Sequence, residues 1–154
     1  MKVVIVGSNS FDTLEYHFAD SFRRAGHEVT ILDVTSVTPI SYDISYHAIR
    51  YIRWFDEYIF RNLAKKVIAL SPDLVIGTYR FINPLCIRMI RSRLPNVPLI
   101  HINPDALTTF EHQQVFASEY DFFFTKDPYI VSFMKQKMGL NALYLPEAFN
   151  PVIH

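Results

Sequence analysis

The chain has 154 residues, half of them hydrophobic and 15% aromatic, a composition that can bury a sizeable core in one domain and excludes a disordered chain. Fifteen basic residues balance fifteen acidic ones, which argues against nucleic acid as a general partner. The single cysteine, Cys86, cannot form an internal disulfide, and no apolar run approaches the roughly 20 residues of a membrane span, so a soluble domain of a reducing, cytoplasmic compartment is expected.

Taken in chain order, Val3 to Val6 is a short, wholly apolar run of the kind buried on both faces of a parallel sheet, and is too short for a leader peptide. The turn Gly7-Ser-Asn-Ser10 leads to a helix expected to be capped by Ser10 or Asp12, with Leu14, Phe18, Phe22 and Ala25 at helical spacing and Gly26 closing it. Glu28 to Leu32 is the second strand, a single long helix is expected from about Ser45 to Leu70, and Leu74 to Gly77 is the third strand. Asn83 to Leu94 reads as a helix and Pro98 to Ile102 as a strand. Thr108 and Glu111 have the spacing of a capping box for a short helix reaching about Ser118. Phe122 to Thr125 is the next strand. Asp127 and Pro128 then open a helix that Gly139 closes, and Ala142 to Leu145 is the last strand.

Regular alternation of strand and helix predicts an α/β, three-layer Rossmann-like domain over residues 1–146, with a mainly parallel sheet of about six strands. Ligands of such sheets bind beyond the carboxyl ends of the strands, which directs attention to 7–12, 33–42, 78–83, 103–109 and 125–127. A dinucleotide site fails there, because Gly7 is followed by no second or third glycine before the helix, even though Asp33 ends strand two where a ribose-binding acid would stand. A response-regulator receiver fails as well: Val6-Gly7-Ser8 holds no acidic pair, and Gly77 stands where an aspartate is needed. No nucleophile elbow, Walker loop or metal-ligand spacing is present, so neither a metal nor a cofactor is expected.

What remains are single residues at strand ends. Ser8, Asn9 and Ser10 offer hydroxyls, an amide and backbone N–H groups at a helix N-terminus, suited either to a hydroxylated or anionic ligand or to ordinary capping. Asp105, just past Asn103 and Pro104, could deprotonate a hydroxyl or could form a turn. His101 is either a second catalytic candidate or a core residue, and Cys86 reads as a core thiol. Charge is unevenly spread: residues 50–93 carry nine basic side chains against three acidic ones, either a solvated helix face or a surface for anionic partners. The aromatic-basic stretch 42–66 reads either as a well-covered core helix or, since its aromatics are too many for one narrow core stripe, as one with some of them facing a pocket, a partner or a membrane surface.

The last thirty-five residues are the most specific. Tyr120-Asp-Phe-Phe-Phe-Thr-Lys-Asp-Pro128, followed by Leu143-Tyr-Leu-Pro-Glu-Ala-Phe-Asn-Pro151 and His154, resembles the close of the N-terminal domain in CgeB-like glycosyltransferases, GT-B-fold proteins related to the spore maturation protein CgeB. The resemblance implies the acceptor-binding half of an enzyme of polysaccharide or cell-surface glycan synthesis. The nucleotide-sugar donor would then be held by a C-terminal domain, and residues 147–154 would begin the interdomain linker. Within that reading, position at the strand ends makes Asp105 the expected acceptor base with His101 second, and Ser8, Asn9, Ser10, Tyr79, Arg80 and Asn103 the expected lining of the cleft toward a glycan or other hydroxyl acceptor. The domain alone is expected to be inactive, with the 42–66 segment as a peripheral contact with the inner membrane face. The alternative is a stand-alone Rossmann-like ligand-binding or regulatory domain.

Overall fold

The computed structural model describes residues 1–11, 13–103 and 114–146. Six strands, β1 (Lys2–Val6), β2 (Glu28–Leu32), β3 (Leu74–Gly77), β4 (Leu99–Asn103), β5 (Phe122–Thr125) and β6 (Ala142–Tyr144), form one sheet in the order β2-β1-β3-β4-β5-β6. Every pairing is parallel, with Val3 opposite Val29 on one side and Leu74 on the other. Among the described residues five helices flank the sheet: α1 (Leu14–Arg24), α2 (Tyr42–Tyr51), α3 (Arg53–Leu70), α4 (Pro84–Arg93) and α5 (Pro128–Met138).

Because side chains alternate across a strand, each strand feeds two cores. Val3, Ile5, Val29 and Ile76 face α1 and pack with Ala19, Phe18 and Phe22. Val4, Val6, Val75, Leu99 and Phe123 face the other way and pack with Ile59, Phe60 and Leu63 of α3, Ile87 and Ile90 of α4 and Met134 of α5. The result is the expected three-layer Rossmann-like architecture. Aspartates finish the amino ends of the strands: Asp73 accepts from the Lys2 N–H at 2.7 Å, and Asp121 accepts from the Leu99 N–H at 2.7 Å while pairing with Arg91.

Several local readings are corrected. The N-cap of α1 is Thr13, whose Oγ1 accepts from the Tyr16 N–H at 3.4 Å; Ser10 instead accepts from Thr13 through its carbonyl, and Asp12 lies outside the described residues. The single helix expected over 45–70 is two. Ile52, with φ −118° and ψ 94°, ends α2 and at the same time opens α3, its carbonyl accepting from the Phe55 and Asp56 N–H groups. That one extended residue re-aims the chain so that Phe55, Ile59 and Phe60 are buried while Tyr51 and Trp54 are 73% and 70% exposed. α3 ends at Ser71 in the left-handed region (φ 47°, ψ 60°), where a glycine would be the ordinary choice. The strand expected over 98–102 is displaced by one residue, since Pro98 has no N–H to give the ladder. A single 3-10 turn covers 114–117; Thr108 and Glu111, the expected capping box, lie outside the described residues. α5 follows expectation, with Asp127 Oδ1 accepting from the Tyr129 and Ile130 N–H groups and Gly139 at φ 67°.

Candidate functional site

In the order β2-β1-β3, the chain reverses its direction of travel across the sheet between β1 and β3. Connections leaving these two strands diverge, and a crevice opens beyond their carboxyl ends. Gly7 follows β1 there, and Thr78 follows β3. A Cβ at Gly7 would run into Thr78 Oγ1 and the Glu15 carboxylate, so glycine is required by close approach. Glu15, in the first turn of α1, is 7% exposed. Its Oε1 accepts from the Ser8 N–H at 3.1 Å and from the Thr78 hydroxyl in a short hydrogen bond.

A second buried carboxylate stands beside the first. Asp33 follows β2 and caps a short 3-10 turn over 34–36, accepting from the Thr35 N–H at 3.3 Å while its own N–H donates to Ser36 Oγ. It also accepts from the Asn9 N–H at 3.4 Å and from the Tyr79 hydroxyl at 3.0 Å. Burial, then the charge of Asp33, pushes the Tyr79 phenol well above its usual range, and the same two causes in the same order raise Tyr42. Both phenols therefore remain protonated donors at any physiological pH. Tyr79 stacks on Phe81 at 4.7 Å, Tyr46 meets Phe81 edge-on at 5.2 Å, and Tyr42 lies 6.1 Å from Tyr79, so an aromatic wall flanks the carboxylates. Two carboxylates, hydroxyl donors and an aromatic surface can together bind a polyhydroxylated ligand, taking its hydroxyls by hydrogen bond and its apolar face by stacking.

The structure thus brings Ser8, Asn9 and Tyr79 together at this crevice, with Ser10 exposed at its rim. Sequence reasoning missed Glu15, reached Thr78 only as the start of the strand-end segment 78–83, and weighed Asp33 only as a ribose-binding acid. The available signals were an acid in the first turn of α1 and a hydroxyl directly after Gly77. His101 and Asn103 belong to a different compartment, on the α3–α4 side of β4. His101 is 1% exposed, packed 5.4 Å from Tyr120 and 5.9 Å from Phe123, and neither ring nitrogen has a hydrogen-bond partner among the described residues. Burial, helped by the Arg80 charge, lowers its pKa to about 3, so the imidazole is neutral. The close approach of the Tyr120 hydroxyl to Gly77 ties this compartment to the end of β3. Asp105 lies outside the described residues, as do 147–154.

Cys86 is a core residue, its thiol pushed up to about 12 by burial. Among the described residues no group of three or more His, Cys, Asp or Glu side chains could hold a metal ion, and no described helix is long and apolar enough to cross a membrane. Comparison with protein-family models finds no match, and comparison with curated proteins finds none either.

Proposed function

We propose that this domain is the acceptor-side half of a nucleotide-sugar-dependent glycosyltransferase of polysaccharide or cell-surface glycan synthesis, and that the crevice beyond β1, β2 and β3 receives the hydroxylated acceptor. The observation that carries this reading is the pairing of two buried carboxylates, Glu15 and Asp33, with an aromatic wall at the point where the sheet reverses its winding. The resemblance of 120–154 to CgeB-like enzymes supports it. In such a reaction an acceptor hydroxyl attacks the anomeric carbon, the bond to the nucleoside diphosphate breaks, and the hydroxyl proton passes to a carboxylate base. Asp105 is the proposed base, and Glu15, Asp33 and Tyr79 would orient the acceptor. A second domain would bring the donor. The reading also puts the protein in the cytoplasm, with exposed Tyr51, Trp54 and Tyr58 beside Arg53 and Arg61 against the inner membrane face.

One observation favours a second reading, a ligand-binding or regulatory domain without transfer chemistry. Both carboxylates are already engaged by the protein's own donors, Ser8, Asn9, Thr35, Thr78 and Tyr79, as in a site built to hold rather than to react. Backbone amide NMR separates the outcomes. Titration with mono- and disaccharides should shift Gly7–Ser10, Asp33–Ser36 and Thr78–Phe81. Absence of such shifts at millimolar sugar would remove the acceptor assignment, and micromolar binding of nucleotide-sugars by this chain alone would overturn the placing of the donor on a second domain. Near-normal turnover of the full-length protein with Asp105→Asn would exclude the base role.

A further inference from the structure

The crevice beyond β1, β2 and β3 holds negative charge without a counter-ion. Glu15 and Asp33 are both buried, and among the described residues neither forms an ion pair. Their partners, Ser8, Asn9, Thr35, Thr78 and Tyr79, are all neutral N–H and O–H donors. Such donors lower the cost of burying a carboxylate and leave its charge in place. The neighbouring phenols sense that field. Asp33 and Glu15 both raise Tyr42 and Tyr79, Asp43 adds to the rise at Tyr42, and no cation among the described residues offsets them. Arg80, the one basic residue of the segment 78–83, acts on His101 in the neighbouring compartment.

Glu15 also keeps an oxygen for a ligand. Both of its hydrogen bonds, from the Ser8 N–H and the Thr78 hydroxyl, end on Oε1, so among the described residues Oε2 accepts from no donor. Unlike the orphaned polar atoms sealed in the core, such as Thr125 Oγ1, Oε2 is open to solvent. Ser8 and Thr78 hold this carboxylate at the carboxyl ends of β1 and β3, so the solvent it meets is that of the crevice. A carboxylate oxygen so placed calls for a donor from outside, which is a sign of a ligand independent of the charge.

Either a metal ion or an organic cation would answer two carboxylates. Hard divalent cations take about six or more oxygen ligands, and among the described residues no group of three or more His, Cys, Asp or Glu side chains is gathered. The wall of the crevice favours the organic cation. Tyr42 stacks on Tyr46 at 6.2 Å and Tyr79 on Phe81 at 4.7 Å, and aromatic faces attract an ammonium group through their quadrupole.

We infer that the crevice selects an ammonium group and that the hydroxylated acceptor is an amino sugar with its amine free. The ammonium donates to Glu15 Oε2 within the field of Asp33, and the sugar ring lies against the tyrosines. The inference names the substrate class of the proposed acceptor site and rests on that reading.

Amide NMR of the full chain with glucosamine, glucose and N-acetylglucosamine tests it, below neutral pH so that the free amine is charged, with ethanolamine as a probe of the ammonium alone. Glucosamine should bind at least about tenfold more tightly than the two neutral sugars and shift Gly7–Ser10, Asp33–Ser36 and Thr78–Phe81. Glu15→Gln and, separately, Asp33→Asn should each lower the ratio of glucosamine to glucose affinity by about fivefold or more. Equal affinity for the three sugars would overturn the ammonium inference and leave the acceptor reading standing. Binding of ethanolamine without binding of any sugar would overturn the acceptor reading and keep the ammonium site. No saturable binding of any of these compounds would overturn both. A preference for glucosamine that survives both carboxylate variants would remove Glu15 and Asp33 as its cause. The comparison of charged with neutral sugars uses the unmodified chain, so it decides even if a variant fails to fold.

Discussion

Replacing Thr78 by valine removes one hydroxyl at nearly constant shape and should destabilise the domain by about 2 kcal/mol, within the range of about 1.5–3 kcal/mol for a hydrogen bond to a charged group. The magnitude follows from burial: Thr78 is 3% and Glu15 7% exposed, so water cannot replace the lost donor, and Glu15 would retain only the Ser8 N–H at 3.1 Å. With a urea slope of about 2 kcal/mol per molar, the midpoint of denaturation should fall by about 1 M. Thr78→Ser, which keeps the donor, should cost less. The Thr78 hydroxyl has a competing acceptor in the Val6 carbonyl at 3.3 Å, and its single hydrogen cannot fully serve both. A double-mutant cycle with Glu15→Gln distinguishes the two, because donation to Glu15 predicts a coupling of about 1 kcal/mol or more. Coupling near zero would mean that the hydroxyl serves Val6, and the polar junction of the crevice would have to be redrawn.

Two further outcomes concern stability. His101 has a folded pKa of about 3 against 6.5 for an ordinary histidine, so the unfolded chain takes up a proton that the folded one refuses. Its effect is absent above the unfolded value and grows as pH falls toward the folded one, at up to about 1.4 kcal/mol per pH unit. Urea midpoints measured between about pH 7 and pH 5 should therefore fall less steeply in His101→Leu than in the unmodified chain, and parallel curves would refute the shift. Ser71→Gly, at the left-handed end of α3, should raise the melting temperature by relieving about 1 kcal/mol of backbone strain, whereas Ser71→Ala should not. Equal melting temperatures for the glycine and alanine variants would show that no strain is stored there.

The strands were legible because each is a short apolar run bounded by turn residues, and α5 because Asp127, Pro128 and Gly139 announce its ends locally. The break at Ile52 was not, since neither glycine nor proline marks it. The burial of Phe55 and Ile59, on a face different from that of Ile49, imposes it from the surrounding core. Thr13 rather than Ser10 is the cap because α1 opens at Leu14, directly after it, and the Thr13 hydroxyl accepts from the Tyr16 N–H while donating to the Ser10 carbonyl. The crevice was half legible. Ser8, Asn9 and Tyr79 follow from the rule about strand ends, which also flags the segments that begin at Asp33 and Thr78, whereas Glu15, inside α1, acquires meaning only when β1 is flanked by β2 and β3.

The central place of β1 also sets the order in which the chain can be built. Its first partner, β2, follows directly, but its other edge pairs with β3, joining Val3 to Leu74, and the Lys2 N–H reaches its acceptor 71 residues later, at Asp73. During synthesis the unit β1–α1–β2 therefore leaves the ribosome with an apolar strand edge open until Gly77 has emerged, a template for pairing with other chains. The helices α2 and α3, made in that interval, pack on one face of the sheet and offer the edge no hydrogen-bond partner, so it stays open until β3 pairs with it.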